Sequence, residues 1–153
     1  MSEEIMSETR PRRRLGRSIG AVLVGIFAGV SLTIGTDFAL HASGVFPPVA
    51  QQPPMSDALF LLATAYRIVY GIAGSYIIAL LAPGRPMQHA LVGGAVGLVV
   101  SIVGAAVTWN MVPALGPHWY PLALVVTALP CAWLGGKLRI MQLHASAVEA
   151  GAV

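Results

Sequence analysis

Asp37 and Arg67 are the two formal charges that fall inside long apolar stretches of this chain. An ionisable side chain held away from water is costly and persists where it has a partner or a task, so these two are the first candidates for chemistry. A carboxylate and a guanidinium can neutralise one another across two segments, or together hold a polar ligand or a proton. His41 stands four residues after Asp37, one turn along the same face of a helix. An Asp-x-x-x-His pair can hold a metal or relay a proton, and more often it is a structural hydrogen-bond cluster. Tyr66 and Tyr70 lie beside Arg67 and offer phenolic hydroxyls. His118 and Asn110 belong to another polar stretch and could complete an outward-facing pocket. One pair and one loop histidine fall short of a complete metal site, so no metal and no cofactor is expected. Asp37, His41, Tyr66, Arg67, Tyr70 and His118 remain as candidates for a ligand or proton site. The chain has one cysteine, Cys131, which excludes a disulfide framework and a Cys-based zinc site and reads as a small packing residue beside Pro130. No H-E-x-x-H or Walker-type pattern occurs, and no enzyme is expected.

The segments that must position these residues are apolar to a degree that excludes a soluble domain. Of 153 residues, 56% are hydrophobic and 10% charged, and the mean hydropathy is +0.76. A soluble domain carries about 25% charged residues to cover its surface. Four apolar runs span about 18–43, 57–82, 89–109 and 119–136. Each holds roughly 18 or more residues, enough to cross a hydrocarbon core of about 30 Å at about 1.5 Å per residue. The runs do not alternate and are too long for barrel strands. The expected fold is all-α, an integral membrane four-helix bundle, with the lipid bilayer as its main partner.

Residues 1–17 read as a disordered basic head and 140–153 as a short frayed tail. Between the runs, GVFPPVAQQPPMSD favours an extended loop because proline cannot continue a helix. Ser56 is placed to cap the second helix. A cleaved signal peptide ending near Ala42-Ser43-Gly44 is the competing reading of the first run, but an h-region is only about 7–15 residues long.

Basic residues set the orientation. Arg10, Arg12, Arg13, Arg14 and Arg17 precede the first run, Arg85 lies in the second link, and Lys137 and Arg139 follow the fourth run. The first and third loops carry none. All eight therefore lie on one side, which is expected to be the cytoplasm, with both termini inside. The net charge of +3 marks topology rather than nucleic acid, although Arg12-Arg13-Arg14 could also engage anionic lipid or a partner. Phe46, Trp109, Trp119 and Tyr120 gather at the two outer loops, the headgroup level that amphipathic rings favour.

Arg67 lies ten residues into the second run, about 15 Å from its outer end and so near the midplane. Side chains on a helix lean toward its N-terminus. Arg67 leans outward and Asp37 inward, so an ion pair between the first two helices is expected. Small residues set the packing, because lipid gives helices no hydrophobic reason to associate. Gly93, Gly97, Ser101 and Ala105 form the clearest stripe, with Gly25, Gly29 and Thr33 on the first helix and Gly71, Gly74 and Ser75 on the second. Such faces also permit a homo-oligomer. Pro130 should kink the fourth helix and free the Val126 carbonyl, which Thr127 could help to satisfy.

The stretches GTDFALHASGVFPP, MSDALFLLATAYRIVYG and GPHWYPLALVVTALPCAWLGGKLR resemble those of a group of small bacterial inner-membrane proteins, over about Gly16 to Arg139. The resemblance implies a bacterial inner-membrane location and four helices, and carries no activity. Two functional expectations follow. One is a non-enzymatic structural or accessory membrane protein in which the Asp37–Arg67 pair holds the bundle. The alternative is a small oligomeric transporter or proton-coupled carrier with an outward-facing polar site.

Overall fold

The computed structural model describes residues 2–48, 55–111 and 116–151, with side chains of the first helix from Leu15 onward. It contains four α-helices: α1 (Ser2–Ala42), α2 (Asp57–Leu81), α3 (Pro86–Thr108) and α4 (Trp119–Glu149). A short 3-10 turn, Trp109–Met111, closes α3. All four are long and apolar enough to cross a membrane. Most of the loop 47–54 and the segment 112–115 lie outside the described residues, as do the side chains of Arg12, Arg13 and Arg14.

Polar contacts establish the topology. His89 near the start of α3 meets Ser18 of α1, with Nε2 2.9 Å from Oγ. Trp119 at the start of α4 donates to Asp57 at the start of α2. Tyr76 late in α2 donates to Gln142 late in α4 at 2.6 Å. The helices therefore alternate up and down, with the chain termini and the α2–α3 link at one end and the two longer connections at the other. α2 sits at the centre of the arrangement and packs on each of the other three.

The residue distribution inverts that of a soluble protein. Many Leu and Val side chains point outward, Val126 at 71% exposure, as do Phe27 and Phe38 at 74%, while Ala90 and Ala132 are fully enclosed. Such a surface suits hydrocarbon, not water. The interior is made of small residues because backbones approach closely there. A Cβ at Gly25 would collide with Ile78 and with the Gly74 carbonyl of α2. At Gly135 it would fall 2.6 Å from the Ile72 carbonyl oxygen and from the Tyr76 amide.

Both ends of the chain depart from expectation. The segment expected as a disordered head is the beginning of α1, which starts at Ser2. Its Glu, Met and Arg residues are good helix formers, with acids near the N-terminus, where the helix dipole favours them. The tail expected to fray from residue 140 continues α4 to Glu149, where Ala150 closes it by donating to the Ser146 carbonyl at 3.1 Å. Ser56 does precede α2, but its carbonyl rather than its hydroxyl serves the first turn, accepting from Leu59 and Phe60. α4 runs through Pro130. Thr127 donates to the Ala123 carbonyl at 2.7 Å, not to Val126, because a hydroxyl in a helix reaches the carbonyl one turn back.

Candidate functional site

The α1–α2 seam is built by glycine. Because Gly25 and Gly29 lie against Gly74 and the Tyr70 carbonyl, the two backbones are close enough for side chains further along to meet. Arg67 Nη2 donates to Asp37 Oδ2 at 2.7 Å, and the side chains are 22% and 31% exposed, so the pair is largely shielded. Tyr66 donates to the other carboxylate oxygen, Asp37 Oδ1. Arg67 Nη1 donates to the Tyr66 hydroxyl at 2.8 Å and to the Ala63 carbonyl at 3.3 Å. Asp37, Tyr66 and Arg67 thus close a ring in which each member touches the other two. Tyr70 extends it, its hydroxyl 2.8 Å from Thr36 Oγ1, and its ring lies 5.8 Å from that of Tyr66.

Two aromatic faces cover the cation. The Arg67 guanidinium stands 5.0 Å from the Tyr66 ring centroid and 5.8 Å from that of Tyr120. Tyr120 is positioned in turn by Phe60, whose ring is 5.0 Å away, and Phe60 is buried against Gly116, where φ is +110° and a side chain would meet its ring. Tyr120 and Thr36 are members of the site that residue spacing does not place there. By position in the sequence Tyr120 is only a headgroup anchor. The available signal was that α2 and α4 both begin at the same end, so their early aromatics share a level.

The two histidines stand elsewhere. The His41 ring meets Phe46 edge-on at 5.4 Å, because the chain turns back after α1 and Phe46 donates its amide to the Leu40 carbonyl. His118 lies 3.2 Å from the Trp109 carbonyl, with its ring 4.5 Å from Trp109. It fastens the α3–α4 connection. The single outward pocket expected from Asp37, His41, Asn110 and His118 is therefore replaced by an interhelical ring plus two separate histidine contacts. Among the described residues, no three His, Cys, Asp or Glu side chains are grouped to hold a metal ion.

A cavity of about 320 Å³ runs between the four helices below this ring, with Arg67 and Tyr70 at one end and Ile78, Gly93 and Gly94 at the other. A second, of about 310 Å³, lies between α3 and α4 beside His118 and Tyr120, and the two share Ser101 and Leu124 as walls. Comparison of the chain with family models, with curated proteins and with solved structures found no match in any of the three. The fold is that of a multi-pass membrane protein, and its functional reading rests on the ring and the cavities.

Proposed function

We propose that this chain is a small non-enzymatic membrane protein, structural or accessory in role, in which Asp37, Tyr66 and Arg67 clasp α1 to α2. The observation that carries the reading is the closure of the ring. Both carboxylate oxygens accept hydrogen bonds, and the guanidinium faces an acid, a phenol and a backbone carbonyl. A group so occupied holds helices together, whereas a transport site needs partners that can be exchanged. The location that fits is a bacterial inner membrane, with both termini and the α2–α3 link in the cytoplasm. The distribution of basic residues supports that orientation, and the sequence resemblance supports the membrane. Self-assembly has surface to use, since Gly35 and Gly104 present exposed backbone that no neighbour covers.

One observation favours the carrier reading, namely that the central cavity reaches Arg67. Purified protein in liposomes with an internal pH dye separates the two. The clasp reading expects proton flux no higher than in empty liposomes across an imposed gradient. Flux above that level, lost in Asp37→Asn while the protein stays folded, establishes the carrier instead.

The orientation has its own test. Reporter fusions at residue 50 and at residue 114 are expected to be active only outside the cytoplasm, and fusions at residues 85 and 151 only inside. The reverse pattern overturns the assignment.

A further inference from the structure

The ring leaves part of Arg67 unspent. A guanidinium has five N–H donors, and among the described residues three are used, towards Asp37, Tyr66 and Ala63. Arg67 also lines the central cavity. Ser75 lines the same cavity two turns along α2, is only 8% exposed, and its hydroxyl has no hydrogen-bond partner among the described residues. A hydroxyl that opens only into a cavity within a membrane meets no solvent to compensate it, so an acceptor that enters there is favoured. Of the other polar lining residues, Thr33, Tyr70 and Thr127 are bonded to the Gly29 carbonyl, to Thr36 and to the Ala123 carbonyl, and Ser101 adds a further hydroxyl; the remainder of the wall is apolar or glycine, including Ile78 and Gly97. Val30 and Ile34 also line the cavity and are half or more exposed, so it opens toward the surrounding hydrocarbon along α1. Its size matches small-molecule pockets, which begin at about 300 Å³ and combine apolar walls with a few placed polar groups.

We infer that this cavity binds an uncharged, mainly apolar molecule that enters from the lipid phase and offers a carbonyl oxygen to the Ser75 hydroxyl. That hydroxyl has its proton to give, and a carbonyl takes it without bringing a charge into the cavity. Asp37 already balances the charge of Arg67, so a second anion would lie near a carboxylate with no cation of its own. A hydrocarbon without an acceptor would fill the space and leave the Ser75 hydroxyl bare. The inference is independent of whether the protein is accessory or a carrier, and its test reads binding, not flux or accumulation.

Benzophenone is both a member of this chemical class and a photolabel. The full chain in liposomes is irradiated with it, and labelled positions are mapped by mass spectrometry. Labelling is expected at Ile78, Ile26 and Leu124 of the wall. Dicyclohexyl ketone should displace it, and dicyclohexylmethane, of similar shape without the oxygen, should do so far less well. Ser75→Ala should lower the labelling affinity about threefold to tenfold, the size of one neutral hydrogen bond. Gly97→Leu should abolish cavity labelling, since a Cβ there meets nothing within 4 Å and the added side chain can occupy the space without displacing a helix. An unchanged melting temperature shows that either variant is folded. Three outcomes overturn the inference. The first is labelling that concentrates on lipid-facing Phe27, Val99 and Val126 and ignores both variants. The second is competition by the hydrocarbon as strong as that by the ketone, which makes the occupant a lipid tail. The third is a label that joins two copies of the chain in a product lost in Gly97→Leu, which makes the opening a self-association face.

Discussion

Arg67→Leu is expected to remove most of the folded protein from the membrane, Asp37→Leu to do nearly the same, and the two together to restore it. Breaking a buried pair by deleting one partner costs about 3–5 kcal/mol, because the remaining charge stays in a poor solvent. Folded domains are stable by only about 5–15 kcal/mol, so either single change consumes a large share. With Arg67 gone, Asp37 Oδ2 loses its cation and only the Tyr66 hydroxyl still serves the carboxylate. With Asp37 gone, Arg67 keeps a carbonyl and a phenol, neither of which balances its charge. The double leucine removes both desolvation penalties and leaves the glycine seam intact, since Gly25, Gly29 and Gly74 make their contacts without the ring. One debt remains, the Tyr66 hydroxyl, which loses both partners. An unpartnered buried hydroxyl costs about 1–3 kcal/mol, so recovery should be completed by adding Tyr66→Phe. Fluorescence-detected gel filtration of membrane extracts, with a thermal midpoint for each variant, reads this series. If the double variant is no more stable than the singles, the ring is not what holds α1 to α2.

The membrane fold was legible in the sequence because bilayer thickness dictates run length, and nothing in a four-run chain of this composition competes with that constraint. The ion pair was legible for a related reason: two charges in apolar runs have few places to go, and the lean of helical side chains brings these two together. From that pair the α1–α2 register also follows. In antiparallel helices each step along one is a step back along the other, so Asp37 beside Arg67 sets Gly29 beside Gly74 and Gly25 beside Ile78, as observed. The histidines were misplaced because periodicity continues only as long as the helix does. His41 lies in the last turn of α1, where the returning chain supplies Phe46 as a nearer neighbour. The α3 stripe divides for a different reason. Gly93 is pressed against Ile78, whereas Gly97, one turn on, faces open space. A four-residue repeat shows which side of a helix is thin, but not how far down it a partner stays in contact. The helix ends were hidden by the same logic in reverse: beyond the bilayer no thickness constraint applies, and local propensity carries α4 on to Glu149.

A close backbone contact between α2 and α4 involves a residue that had looked like the end of a run, and it supplies the second large effect. Gly135→Leu is expected to prevent α2 and α4 from docking, and even Gly135→Ala to lower the thermal midpoint substantially. The Cβ that alanine adds would lie 2.6 Å from the Ile72 carbonyl oxygen and the Tyr76 amide and 2.7 Å from the Ser75 Cβ. Two of these atoms are backbone and cannot rotate aside, so the helices themselves must separate. Overpacking of this kind costs about 1–3 kcal/mol or more where no side chain can yield. Separation here also loosens Tyr76 from Gln142 and Cys131 from Gly71, which lie along the same α2–α4 seam. Gly104→Ala provides the opposing case. Its Cβ meets nothing within 4 Å, and alanine favours a helix over glycine by about 0.5–1 kcal/mol, so that variant should be as stable as the parent or slightly more so. The contrast in sign matters because both positions are helical glycines in spanning segments, and composition or propensity alone predicts the same small gain for each. Equal midpoints for the two alanine variants would show that α2 and α4 are not seated as closely as the 2.6 Å approach requires. A fall at Gly135 alone ties bundle stability to that seam, whose Ser75 also faces the central cavity.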